Sequence, residues 1–179
     1  MKKNHILKLA ETAAIAAVYV AVSLALAAVS FGAVQVRVSE LLTLLPVVTP
    51  LAVPGLTLGC FLSNLLGMLL GMNPVGWIDM LVGTLATLIS AILTRLLRGF
   101  RVRSVPVYSA MPPVLVNAAL VGAELTYVFS GGLEPKLLII NMLSVGAGQL
   151  VSCFILGLPF ICFLERSGLA AKLFGRDTR

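Results

Sequence analysis

Arg37 and Glu40 stand three residues apart at the mouth of a hydrophobic segment that continues as Leu41-Leu-Thr-Leu-Leu-Pro46. At helical spacing they share a face, with the acid one turn further in. A carboxylate entering a membrane is costly and by default marks a functional site; the plainer alternative is an interfacial ion pair that caps a helix. Other polar residues interrupt apolar runs in the same way: Asn64, Asp79, Asn117, Glu124, Asn141 and Gln149. Asn117 and Glu124 are seven apart and so lie on one helical face. Carboxylates and amides in this combination can pair with a donor-rich, planar or cationic molecule. Trp77, Tyr127 and Phe129 can stack on a ring or wall it in. Each residue has a structural alternative. Trp77 suits an interfacial aromatic belt, Asp79 a helix start favoured by the dipole, and the amides helix-to-helix bridges.

Catalytic chemistry finds little material. The single histidine, His5, precedes the first apolar run, so no Ser-His or zinc-His site is available among the buried residues. Cys60, Cys153 and Cys162 lack metal spacing, and an odd count in apolar segments is no disulfide framework. No Gly-x-x-x-x-Gly-Lys-Ser/Thr loop is present to cradle a phosphate. The expectation is a binding protein rather than an enzyme, with no metal and no cofactor. A solute-binding membrane protein of this kind needs an ion gradient or a partner for energy.

The elements that position these residues follow from composition. Of 179 residues, 59% are hydrophobic and 11% charged, and mean hydropathy is +1.06. Soluble domains carry about 25% charged residues. The runs are continuous rather than alternating, which excludes a β-barrel. The chain reads as one domain over residues 1–179, an all-α integral membrane protein with room for six spans of roughly 20 residues. The spans are expected at about 7–30, 40–53, 55–70, 77–97, 106–129 and 136–164. The first is too long for a signal core and lacks a cleavage pattern, so it reads as a retained helix. The second is short, broken by Pro46 and Pro50, and expected to be kinked or irregular. Pro54-Gly55 reads as the turn after it. Ala10, Ala13, Ala14, Ala17, Ala21 and Ala25 give the first helix small-xxx-small spacings that let another helix approach closely, whether from within the protein or from a partner.

Net charge is +6, but no basic helix or aromatic-interleaved patch indicates nucleic acid. With six spans, one side holds Lys2, Lys3, Lys8, Arg95, Arg98, Arg101, Arg103, Arg166, Lys172, Arg176 and Arg179, and the other only Arg37 and Lys136. That is eleven against two, which places both termini in the cytoplasm. On this topology the expensive polar groups lie mostly at similar depth in the outer half. The arrangement is a pocket open to the outside rather than a channel.

The string Val34-Gln-Val-Arg-Val-Ser-Glu40, followed by Leu42-Thr-Leu-Leu-Pro46 and Thr49-Pro50, resembles the queuosine-precursor transporter (QueT) family. So do Pro54-Gly55 through Asn64-Leu-Leu-Gly67 and Asp79-Met-Leu-Val-Gly83-Thr84 through Thr87. The similarity runs from about Leu7 to Leu164. Its sharpest motifs lie between Gln35 and Thr87, while the last two helices match mainly in pattern. The resemblance implies a substrate-binding S component of an energy-coupling factor (ECF) transporter, with six helices, in a bacterial-type plasma membrane. It implies a transmembrane coupling subunit and two cytosolic ATPases as partners, with Ala13, Ala17 and Ala21 facing the coupling subunit. It also implies a 7-deazaguanine solute, such as queuine or its 7-aminomethyl or 7-cyano precursors. Glu40 or Glu124 would accept its adjacent N–H groups, and Asn117 or Asn141 would meet its carbonyl. Two other functions fit the residues: an S component for riboflavin, thiamine or folate, and a membrane scaffold that binds no solute.

Overall fold

The computed structural model describes residues 2–27 and 37–175. The end of the first expected span, most of the loop after it and the last four residues, including Arg176 and Arg179, lie outside the described residues.

Among the described residues, five helices are long and apolar enough to cross a membrane. The first, α1, covers Lys2–Ala25. It starts five residues before the expected Leu7, because no helix breaker lies among the intervening residues. α2 covers Ala52–Leu69, α3 Trp77–Leu96 and α4 Met111–Ser130. α5 covers Pro135–Leu150 and continues through a π-helical stretch, Val151–Gly157, into α6, Leu158–Arg166. A short α7, Leu169–Phe174, stands where a polar tail was expected. The π stretch has a local cause. Pro159, at the start of α6, offers no N–H and its ring crowds the carbonyl four residues back, so the preceding turn widens.

Between α1 and α2 lies a 3₁₀ helix, Val38–Val47, where a short proline-broken span was expected. Ten residues of 3₁₀ is unusual, since most such runs end after three or four. Pro46 sits inside it and cannot donate a ladder bond. Its carbonyl end is held from outside: Arg95 Nη1 donates to the Pro46 and Val47 carbonyls at 3.0 and 3.3 Å. A cation on the last carbonyls is favourable. The chain then turns at residues 48–51, around Pro50, and not at Pro54-Gly55 as expected. Pro54 instead occupies the first turn of α2, where a missing N–H costs nothing.

The 3₁₀ helix is the axis of the fold. Residues Ser39, Glu40, Leu42, Thr43, Leu44, Leu45, Pro46 and Val47 are all buried. It runs antiparallel to α1, because Ser39 meets Ser23, Glu40 meets Tyr19, and Thr49 meets Glu11. The long helices pack around it in the order α1, α2, α3, α4, α5, and the π stretch closes the far side. Small residues set the closest approaches. A methyl group at Gly59 would lie 2.8 Å from Tyr19 Cβ across the α1–α2 contact, and one at Gly122 would lie 2.8 Å from Met142 Cα across α4–α5. In lipid, packing of this kind holds helices together.

The apolar core has two parts. One, around Leu44, Val48, Leu56, Ile161 and Leu164, fills the end of the bundle that holds Glu11, Arg95 and Arg101. The other, Val75, Ala86, Val121, Leu125 and Val145, fills the opposite end. The start of α1 and the end of α6 lie at the same end, next to the 97–105 loop, which Arg101 ties to Glu165 by two bonds of 2.9 and 2.7 Å.

Candidate functional site

Buried charge is concentrated between the two apolar clusters. Among the described residues the buried ionisable acids and bases are Arg37, Glu40, Asp79 and Glu124, three carboxyls and one guanidinium. Glu40 is 1% exposed, and the start of the 3₁₀ helix places it on the axis. The Tyr19 hydroxyl donates to its Oε1 at 2.5 Å, and Asn117 Nδ2 reaches its Oε2 at 3.4 Å. The Cys153 thiol on the π stretch lies 3.7 Å from the Glu40 carbonyl oxygen and 3.6 Å from Gln149 Oε1. The widened turn of α5–α6 thus meets the tightened turn of the 3₁₀ helix at this residue.

The second cluster is built on Asp79 in the first turn of α3. Arg37 Nη2 pairs with Asp79 Oδ2 at 2.5 Å, and Asn73 Nδ2 donates to the same oxygen at 2.8 Å. Asn64 Nδ2 donates to the Asp79 backbone carbonyl at 2.9 Å, joining α2 to α3. Arg37 precedes the 3₁₀ helix in extended conformation, so its ion pair reaches across to α3. Gly83, one turn along, leaves room for the cluster: a methyl group there would lie 2.6 Å from Asp79 Oδ1 and 3.0 Å from Asn64 Nδ2.

Arg37 and Glu40 line one small cavity with Asn117, Val121, Val145 and Gln149, of about 10 Å³. That holds about one water and no bicyclic solute. A far larger hollow of about 730 Å³ lies between α1, α6 and α7, but its walls are apolar apart from Glu11. It offers almost nothing to recognise a polar molecule, so volume and chemistry point to different places and the chemistry decides.

Several expected site residues come together here: Arg37, Glu40, Asn117 and Gln149 at the cavity, with Asp79 and Asn64 bonded behind it. Glu124 is 5% exposed and shares the α4 face of Asn117 and Val121. Asn141 sits at the edge, its Nδ2 donating to Thr126 Oγ1 at 3.0 Å between α5 and α4. The aromatic residues do not join. Trp77 is 61% and Tyr127 57% exposed, and Phe129 is exposed as well. Trp and Tyr rings near helix ends gain most at a membrane interface. On α1, Ala13, Ala17 and Ala21 all point outward, while Ile15, Ala16, Tyr19 and Ser23 face the protein.

Sequence reasoning missed Tyr19 and Asn73. Tyr19 was hidden in an alanine-rich helix, yet a tyrosine hydroxyl in an apolar span must find a partner when buried. Asn73 sat in a segment read as a loop, and it also anchors that loop by accepting from the Val75 N–H at 3.0 Å.

The family model described as QueT transporter matches residues 9–166. A protein named Queuosine precursor transporter QueT, from Lactococcus lactis subsp. cremoris (strain MG1363), is 34% identical over 91 residues, covering 50% of this chain and 50% of that protein. The matched stretch therefore spans about half the length of that relative. No solved structure matches the chain.

Proposed function

The chain belongs to the QueT transporter family, and we propose that it captures queuosine precursors, 7-deazaguanines such as queuine, at the buried site around Glu40. The observation that carries this reading is the Glu40 carboxylate itself, fully enclosed, with Asn117 beside it at the edge of a cavity. A deazaguanine presents neighbouring ring and exocyclic N–H donors, and a carboxylate accepts both. Tyr19 and Asn117 hold the carboxylate in place for that purpose, and an incoming solute exchanges for part of this network.

The chain acts in this proposal as the substrate-binding S component of an energy-coupling factor transporter in the plasma membrane. Both termini are cytoplasmic, and the site loads from outside. Uptake is driven by two cytosolic ATPases through a transmembrane coupling subunit. Support for the partner comes from α1. Its outward stripe of Ala13, Ala17 and Ala21 has no side chain large enough to keep another helix at a distance.

Calorimetry of the folded Glu40→Gln protein with queuine and its precursors tests the site. The substitution puts a donor where the solute also donates. Hydrogen bonds to charged groups contribute about 1.5–3 kcal/mol, so affinity should fall about tenfold to a hundredfold. Unchanged affinity in a folded variant would leave Glu40 as a structural residue and remove the proposal.

A further inference from the structure

Among the described residues, three buried carboxyls stand beside one buried cation, and they are not equally provided for. Asp79 has Arg37 and Asn73. Glu40 has Tyr19 and Asn117. Glu124 has neither: both its carboxyl oxygens are buried without a hydrogen-bond partner among the described residues. A buried carboxyl with neither ion pair nor donors is among the most expensive groups a membrane helix can carry. Such an atom in a native fold needs an explanation.

Packing does not supply one. Glu124 lies seven residues from Asn117 and three from Val121, on the one α4 face that meets the cavity. Its immediate apolar neighbours on that helix, Val121 and Leu125, belong to the core cluster at the end opposite Arg95. An apolar residue of similar size would extend that cluster at no electrostatic cost. The side chain therefore stands one turn beyond Val121, which lines the cavity, with apolar neighbours on its own helix and two unpartnered acceptors.

We propose that Glu124 is a specificity-determining residue that receives a cationic amine on the solute. This rests on the proposed function, and it narrows the solute class. The planar donor edge goes to Glu40, and the side arm, carrying an ammonium group, goes to Glu124. An amine-bearing 7-deazaguanine brings the missing cation and donors in one piece. A neutral 7-substituent, such as a nitrile, brings neither and leaves the carboxyl unpartnered.

Titration calorimetry on the purified full chain, with 7-aminomethyl-7-deazaguanine and 7-cyano-7-deazaguanine, tests this. The aminomethyl compound should bind the unaltered chain about tenfold or more tightly than the cyano compound. Glu124→Gln should abolish that preference by weakening the aminomethyl compound alone. Glu124→Asp, which keeps the carboxylate, should retain the preference at reduced affinity. Equal affinities for the unaltered chain overturn the inference, and that measurement depends on no variant folding. Equal losses for both compounds in Glu124→Gln overturn it too, since Glu124 then serves the fold. Binding of both compounds without preference removes the inference and leaves the proposed function standing. Binding of neither removes both.

Discussion

The Tyr19 hydroxyl and the Glu40 carboxylate meet at 2.5 Å, joining the last third of α1 to the start of the 3₁₀ helix inside the bundle. Both groups are buried away from bulk water. Tyr19→Phe removes the donor and leaves Asn117 at 3.4 Å as a weak substitute. The expected loss is about 1.5–3 kcal/mol of stability, the range for a hydrogen bond to a charged group. Thermal unfolding in detergent measures it. In the double variant with Glu40→Gln the two costs should fall short of their sum, because they delete one shared bond. Strict additivity would show that the pair does not interact.

Gly83 is the tightest point of the Asp79 cluster. A methyl group there lies 2.6 Å from Asp79 Oδ1, and Arg37 Nη1 is only 3.6 Å away. Gly83→Ala should push the carboxylate aside and disturb the Arg37 pair. Overpacking typically costs about 1–3 kcal/mol. The protein should unfold at lower temperature and bind solute more weakly. A variant that behaves like the unaltered chain in both measurements would show that the cluster relaxes freely.

Gly122 and Gly146 form a comparison within one interface. A methyl group at Gly122 would meet Met142 backbone atoms at 2.8 and 2.9 Å, whereas one at Gly146 would meet only Ala118 Cβ at 3.4 Å. Backbone cannot step aside as a flexible side chain can, so Gly122→Ala must separate α4 from α5. Gly122→Ala is expected to lower the unfolding temperature clearly and Gly146→Ala by little. The reverse order in the same assay would contradict the packing described.

The alanine stripe on α1 makes a prediction about partners. Ala17→Trp and Ala21→Trp put bulk on an outward face, where the fold has room for it. Solute affinity should be retained while uptake in cells falls to background, since a close helix approach needs small side chains. Pull-down with the proposed coupling subunit separates lost docking from lost expression. Uptake that survives both changes would place the docking face elsewhere.

Much of this architecture was readable beforehand. Long continuous apolar runs marked the four spans from α2 to the end of α6 within a few residues, because burial in lipid leaves little else for such stretches to do. The pairing of the polar residues was not readable. Arg37 and Glu40 looked like neighbours on one helical face, but a 3₁₀ start places Arg37 in extended backbone, from which it reaches Asp79, 42 residues away. Aromatic identity misled in another way. Trp77 and Tyr127 could serve a ring pocket or an interface equally well by composition, and only their orientation on the helix separates the two. The turn at Pro50 rather than Pro54 shows the same ambiguity, since proline both ends one helix and begins the next.

The Val38–Val47 segment has a consequence for length. Wound as a 3₁₀ helix at about 2.0 Å per residue, its ten residues reach about 20 Å; wound as α-helix at about 1.5 Å, they would reach only about 15 Å. Rewinding this one element as α-helix would therefore shorten it by about 5 Å, which the bonds of Glu40 and Thr49 to α1 oppose. The axis of the bundle is in that sense an extended spring, with Tyr19 clasping Glu40 at one end and Glu11 clasping Thr49 just past the other.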